Sequence, residues 1–269
     1  DFCLSRGLGD VYKRQVDDYY CHFPQKRQGN EVHKKSRPGI VGYGVYLPKF
    51  RVRNDDSSAS GGVRERTVPF QDEDTTTFAV EAGRRALIHA GVRSREVKKC
   101  FLGSESTPYA VKPSMSTVCQ ALELGEKYED GFISGGVDSQ FACKAATDLF
   151  IDAAALVAYP TFGGSNVMVI GSDNSQAAPH DALDSTVGAG AAAYVFGERG
   201  VIATLDHYAP YTSDTADFYR RDGEKYPRHG GRFTGKPAYF KHVTSAIRNV
   251  LKESGLCPGD FAYAVNHSP

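Results

Sequence analysis

The sequence has no surplus of either charge: 32 Lys and Arg residues stand against 32 Asp and Glu in 269. Without a basic excess the chain has little to set against phosphates, which excludes a general nucleic-acid binder. It also lacks any apolar run near the roughly 18 residues of a membrane span. The longest small-apolar runs, around Ala153–Ala158 and Ala189–Phe196, are much shorter. Its six cysteines form no CxxC pair, and none falls at zinc spacing from a histidine, so no metal site is expected. No signal peptide is recognisable, and the expectation is a cytoplasmic protein with reduced thiols. A dinucleotide loop is missing as well. Gly42 and Gly44 lack their third glycine, and Pro48 blocks the helix that should follow.

What is present reads as an α/β chain. Residues 1–38 stand apart, with no periodicity and a mixed polar stretch at Lys26–Arg37; Cys3–Gln15 resembles translated sequencing-adapter sequence. They are read as an unstructured extension. Order is expected from Gly39, where IVGYGVYL forms a strand closed by Pro48. Asp74–Ala90 has a cap, apolar recurrence and a terminating Gly91, so it predicts a helix. Strands follow at Cys100–Gly103, Asn166–Gly171, Gly188–Phe196, Val201–His207 and Phe261–Val265. Helices are expected at Ser114–Leu124, Phe141–Ala158 and Phe240–Ser254. Strands alternating with helices predict a largely parallel sheet.

Three residues stand out chemically. Cys143 is placed at the start of the expected Phe141–Ala158 helix, where the positive end would favour a thiolate; it reads as a nucleophile or as a structural cysteine. Glu105 follows an apolar strand at its carboxyl end, where α/β folds place sites, and reads as a base or as a solvated loop carboxylate. His267, also past a strand, reads as a proton shuttle or a structural histidine.

With their flanks, these residues resemble the archaeal type of hydroxymethylglutaryl-CoA synthase, in the thiolase superfamily. The resemblance runs from Gly39 to Pro269. It is carried by GIVGYGVYLPKFRV, DEDTTTFAVEAGRRAL, GSESTPYAVKP, FACKA, IGSDNSQAAPHDALDSTVGAGAAAYVFG and, above all, TSDTADFYRRDGEKYPRHGGRFTGKPAYFKHV. It implies a thiolase-like fold of two similar halves. Residues 39–197 would form the first half and 198–269 the start of the second, with 1–38 outside the family. It implies condensation of acetyl-CoA with acetoacetyl-CoA to 3-hydroxy-3-methylglutaryl-CoA, a mevalonate-pathway step. In that scheme Cys143 is acylated, Glu105 is the acid/base and His267 is the catalytic histidine. Thr186, Arg232 and Thr234 contact substrate and CoA. No metal or redox cofactor is implied. The implied partners are CoA thioesters, a second copy in a homodimer, an acetoacetyl-CoA thiolase and a small zinc-binding OB-fold protein. The chain departs from the family in its short Asn54–Arg66 loop and in Asn266, which replaces a usual Phe. A strand at Phe261–Val265 with no later neighbours would leave the chain, by itself, poorly stable and without synthase turnover. A ketoacyl-synthase-like enzyme and a non-catalytic scaffold of a thiolase complex are the alternatives. Ketoacyl synthases pair Cys with His and Asn and need no carboxylate, so Glu105 speaks against them.

Overall fold

The computed structural model describes residues 37–54, 62–140, 142–231 and 233–267. They fall into two compact units, one running to Leu205 and one from Asp206.

The first unit is built on a six-stranded sheet. Its first strand, β1 (Gly39–Tyr46), is followed by a hairpin of β2 (Phe50–Arg53) and β3 (Glu65–Val68). Helix α1 (Thr75–Ala90) comes next. Asp74 caps it by accepting from the Thr77 N–H at 2.8 Å, while Thr77 Oγ1 accepts from the Asp74 N–H at 2.7 Å. Gly91, with φ of 62°, ends it. Strand β4 (Val97–Gly103) and helix α2 (Ser114–Leu122) follow. The expected end of α2 at Leu124 moves back two residues because Glu123 turns left-handed, with φ of 53°. A small hairpin, β5 (Glu126–Tyr128) and β6 (Gly131–Ile133), leads to β7 (Gly135–Ser139). Helix α3 (Leu149–Ala158), β8 (Asn166–Asn174), β9 (Ala189–Gly197) and the short β10 (Ala203–Thr204) complete the unit.

The strand order is β10-β1-β9-β8-β4-β7. Only β4 with β7 and β4 with β8 run parallel, while the pairs β8/β9, β1/β9 and β1/β10 are antiparallel. The sheet is therefore mixed rather than largely parallel. Alternation of strands and helices misses this because β8 passes directly to β9 with no helix between them.

Both faces of the sheet are covered. In β8 the alternating side chains divide: Met168 and Ile170 join α1 and α2, while Val167 and Val169 join α3. That is why NVMVI is apolar at every position. Phe150 of α3 meets Tyr194 and Phe196 of β9 edge-on, with centroids 4.9 and 5.2 Å apart. Full burial of a side chain such as Phe196 or Val169 contributes roughly 1.5–3 kcal/mol. Gly42 and Gly44 lie inside β1, where a Cβ would meet Ala90 or the Ala82 carbonyl of α1 at 2.6 and 2.4 Å. They serve close helix packing, not a nucleotide.

The second unit holds a two-stranded ribbon, β11 (Phe218–Tyr219) with β12 (Arg228–His229). A π-helical turn, Thr234–Phe240, continues into α4 (Lys241–Ser254). The expected strand at Phe261–Val265 does not form. Among the described residues it finds no pairing strand, and Tyr263 and Val265 are 89 and 96 % exposed.

Candidate active site

The parallel strands β4, β7 and β8 end together: Gly103 pairs with Ser139 on one side and Gly171 on the other. Whatever follows these strands shares one edge of the sheet, the edge at which α/β folds collect their chemistry. Glu105 lies two residues past β4, Cys143 four past β7, and Asp173 on the last turnings of β8. Antiparallel β9 starts at the same edge, with Ala189 opposite Asn174. This brings Thr186 there too.

Cys143 does not open a long helix. It sits in a three-residue 3₁₀ turn, Ala142–Lys144, with further turns before α3 begins at Leu149. The helix-terminus argument for its thiolate therefore falls, and close packing takes its place. A Cβ on Gly103 would come within 2.3 Å of the Ala146 nitrogen, and one on Gly171 within 3.1 Å of Ala146 Cβ. Only bare backbone at Gly103 lets the Cys143–Ala146 turn lie directly on the strand that leads to Glu105. Of the described cysteines, Cys100 and Cys119 are buried and Cys257 is half-buried, whereas Cys143 is exposed to an incoming ligand.

Glu105 is half-buried, and its carboxyl has no hydrogen-bond partner among the described residues. Burial, together with the negative charge of Asp173, pushes its pKa up to about 7. Asp173 is the residue that the sequence reading missed. Its Oδ1 accepts from Ser104 Oγ at 3.0 Å, from the Glu105 N–H at 2.9 Å and from Ser106 Oγ at 2.7 Å. Burial raises the Asp173 pKa, and these donors pull it back. The signal that selected Glu105, an acid just past an apolar strand, was present at Asp173 also.

Thr186 donates its hydroxyl to the Leu183 carbonyl at 3.1 Å. Its segment is tied to the β2–β3 hairpin through Asn54 Nδ2 to the Ser185 carbonyl, 2.8 Å, and Arg66 to Asp184, 3.5 Å. Arg232 lies outside the described residues. Thr234 and His267 belong to the second unit. Thr234 Oγ1 accepts from the Gly230 N–H at 3.1 Å and donates to the Asp217 carbonyl at 3.3 Å. Tyr239 donates its hydroxyl to the His267 carbonyl, and the two rings lie 6.5 Å apart. His267 is an exposed residue, and the partial burial of its ring lowers its pKa.

Comparison with known proteins supplies the family. The chain is 44 % identical over 242 residues to the hydroxymethylglutaryl-CoA synthase of Methanosphaera stadtmanae, covering 86 % of this chain and 68 % of that protein. It is 43 % identical over 246 residues to the enzyme of the same name from Methanothermobacter thermautotrophicus, with the same coverage. The chain belongs to the hydroxymethylglutaryl-CoA synthase family. No family model matches it. Among solved structures, MvaS in complex with 3-hydroxy-3-methylglutaryl coenzyme A aligns with a TM-score of 0.73 at 23 % identity. An HMG-CoA synthase complexed with CoA aligns with 0.75 at 20 %. A 3-oxoacyl-[acyl-carrier-protein] synthase III from Aquifex aeolicus aligns with 0.69 at 22 %. The fold is thus thiolase-like. The chain spans about two thirds of those curated relatives and 56 and 58 % of the two synthase structures. Hydroxymethylglutaryl-CoA synthases are acyltransferases. Among the described residues, no helix is long and apolar enough to cross a membrane.

Proposed function

We propose that the protein whose site this chain carries condenses acetyl-CoA with acetoacetyl-CoA and water to give 3-hydroxy-3-methylglutaryl-CoA and CoA. The observation that carries the reading is that one sheet edge presents both an exposed thiol and a half-buried carboxyl, without a hydrogen-bond partner among the described residues, whose pKa is pushed up to about 7. The Cys143 thiolate attacks the acetyl carbonyl and CoA leaves as its thiol, so a thioester forms on the enzyme. Glu105, ionised, then removes a proton from the acetyl methyl. The carbanion adds to the ketone carbon of acetoacetyl-CoA. His267 hydrogen-bonds that oxygen and protonates the resulting alkoxide. Water cleaves the Cys143 thioester, releasing the product and restoring the thiol. Thr186, Arg232 and Thr234 hold the CoA substrates, with the Arg232 guanidinium suited to phosphate. The scheme needs neither metal nor redox cofactor.

The reading extends to a cytoplasmic homodimer of the mevalonate route. A second copy suits the edge of β7, whose outer side pairs with no strand among the described residues; Tyr128, Ile133 and Val137 in this stretch are exposed. A thiolase and a zinc-binding OB-fold protein fit as partners because a thiolase makes acetoacetyl-CoA, the second substrate. A ketoacyl synthase would not call for Glu105. In a full-length protein carrying this chain, Glu105→Ala should still be acetylated on Cys143 yet release no 3-hydroxy-3-methylglutaryl-CoA. Condensation at the parent rate would overturn the assignment.

A further inference from the structure

The three residues Ser104-Glu105-Ser106 wrap one oxygen of Asp173, and the same short segment is fastened from a second side. Ser106 Oγ gives its only proton to Asp173 Oδ1 at 2.7 Å and takes the Asn174 N–H at 2.9 Å. The Ser106 N–H goes to Ser104 Oγ at 3.0 Å. From α1, Thr75 Oγ1 donates to the Ser106 carbonyl at 2.8 Å. Its 3.2 Å approach to Ser106 Oγ therefore adds no further bond, since both hydroxyl protons are already used. Thr75 is 1 % exposed, and its own carbonyl accepts from Ser172 Oγ at 2.6 Å. Ser106 thus sits where α1, β4 and β8 meet. The hydrogen-bonding groups on its backbone and side chain are engaged, while the Glu105 carboxyl itself has no hydrogen-bond partner among the described residues.

We infer that Ser106, seated by Thr75 and Asp173, is a positioning residue that holds the Glu105 carboxyl in its half-buried seat beside the Cys143 turn. The inference rests on the role proposed for Glu105 and names the device that sustains it. Without the Ser106 hydroxyl, the segment loses its link to Asp173 and to the Asn174 N–H together. The carboxyl then swings toward water, and its ionised form becomes easier to make. A threonine at 106 keeps the hydroxyl and preserves the seat.

The charged groups on the surrounding elements have partners of their own or lie away from this edge: Glu81 of α1 pairs with Arg84 and Arg85, and Lys98 and Lys99 stand at the start of β4. Asp74 at the start of α1 is bound to Thr77, Asp138 on β7 accepts the Ser114 and Met115 N–H groups, and Lys144 pairs with Asp148. Asp173 is the one whose charge acts on Glu105.

The test uses the 269-residue chain with ¹³C-labelled glutamate carboxyls, the Glu105 signal being assigned through Glu105→Gln. The expected midpoint is near 7 in the parent and in Ser106→Thr, and lower by about one unit in Ser106→Ala. Thr75→Val, which removes the bond to the Ser106 carbonyl at nearly constant volume, should shift the midpoint in the same direction. It decides the matter if Ser106→Ala does not fold. An unchanged midpoint in both variants, or an equal fall in Ser106→Thr, would overturn the inference. Acetylation of Cys143 by acetyl-CoA is followed separately in the parent chain. Its absence would sink the synthase reading and leave the titration result standing.

Discussion

Glu105 holds its proton to about pH 7 because the folded chain buries it next to Asp173. That has a stability consequence whose sign is fixed. The folded pKa lies above the unfolded one, about 4.3 for glutamate. The neutral group is therefore tolerated at low pH, and ionising it weakens the fold as pH rises from about 4.3 through 7. Removing the charge should thus stabilise the protein increasingly across this window, in full above it and not at all below it. Glu105→Gln is expected to raise the melting temperature at pH 8, by an amount below the ceiling of about 4 kcal/mol that the shift sets because solvent screens the part-exposed carboxyl, and to change it little at pH 4. Thermal unfolding at the two pH values checks this. Equal effects at both would mean that the carboxyl is not held in a disfavoured, buried state. The same property suits the role proposed for Glu105, since a base poised near 7 can both take and return a proton at working pH.

At the scale of elements, the site depends on the Cys143–Ala146 turn lying flush on β4. Gly103→Ala places a Cβ 2.3 Å from the Ala146 nitrogen, so the turn must lift. A displacement of about 1 Å near reacting groups is enough to slow a reaction on the order of 10²-fold. Acetylation of Cys143 in Gly103→Ala should fall by about that factor, and its time course followed by mass spectrometry gives the rate. An unaltered rate would show that the contact is not needed. The element pattern was partly legible beforehand. Helix α1 could be read from Asp74, its apolar spacing and Gly91, and β8 from its unbroken apolar run. The break between Ala142–Lys144 and α3 could not be read. Ala145 and Ala146 look like good helix formers, and only tertiary contact with Gly103 and Gly171 shows why the chain turns there. The short pairs β2–β3 and β5–β6 carried no strong alternation, and the antiparallel β9 looked like any other strand. Phe261–Val265 had the composition of a strand, but strand formation requires a neighbour to pair with. Asp173 was as legible as Glu105, two residues past an apolar strand read to Gly171, and was passed over; the observed strand runs on to Asn174 and carries Asp173 within it.

For the molecule as a whole, the first unit already contains Glu105, Asp173, Cys143 and Thr186 on a sheet with both faces covered. Thr234 and His267 belong to the second. The steps proposed above divide along the same line. In the proposed scheme, taking up an acetyl group calls for the thiol in the first unit, whereas the addition to acetoacetyl-CoA would also call on His267. The acetyl step therefore tests the central claim most directly. The 269-residue chain is incubated with acetyl-CoA, digested, and its cysteine peptides are mapped by mass. The account predicts one acetyl group, on Cys143, and none in Cys143→Ala. Acetyl on Cys100, Cys119 or Cys257 with Cys143 unmodified would contradict it.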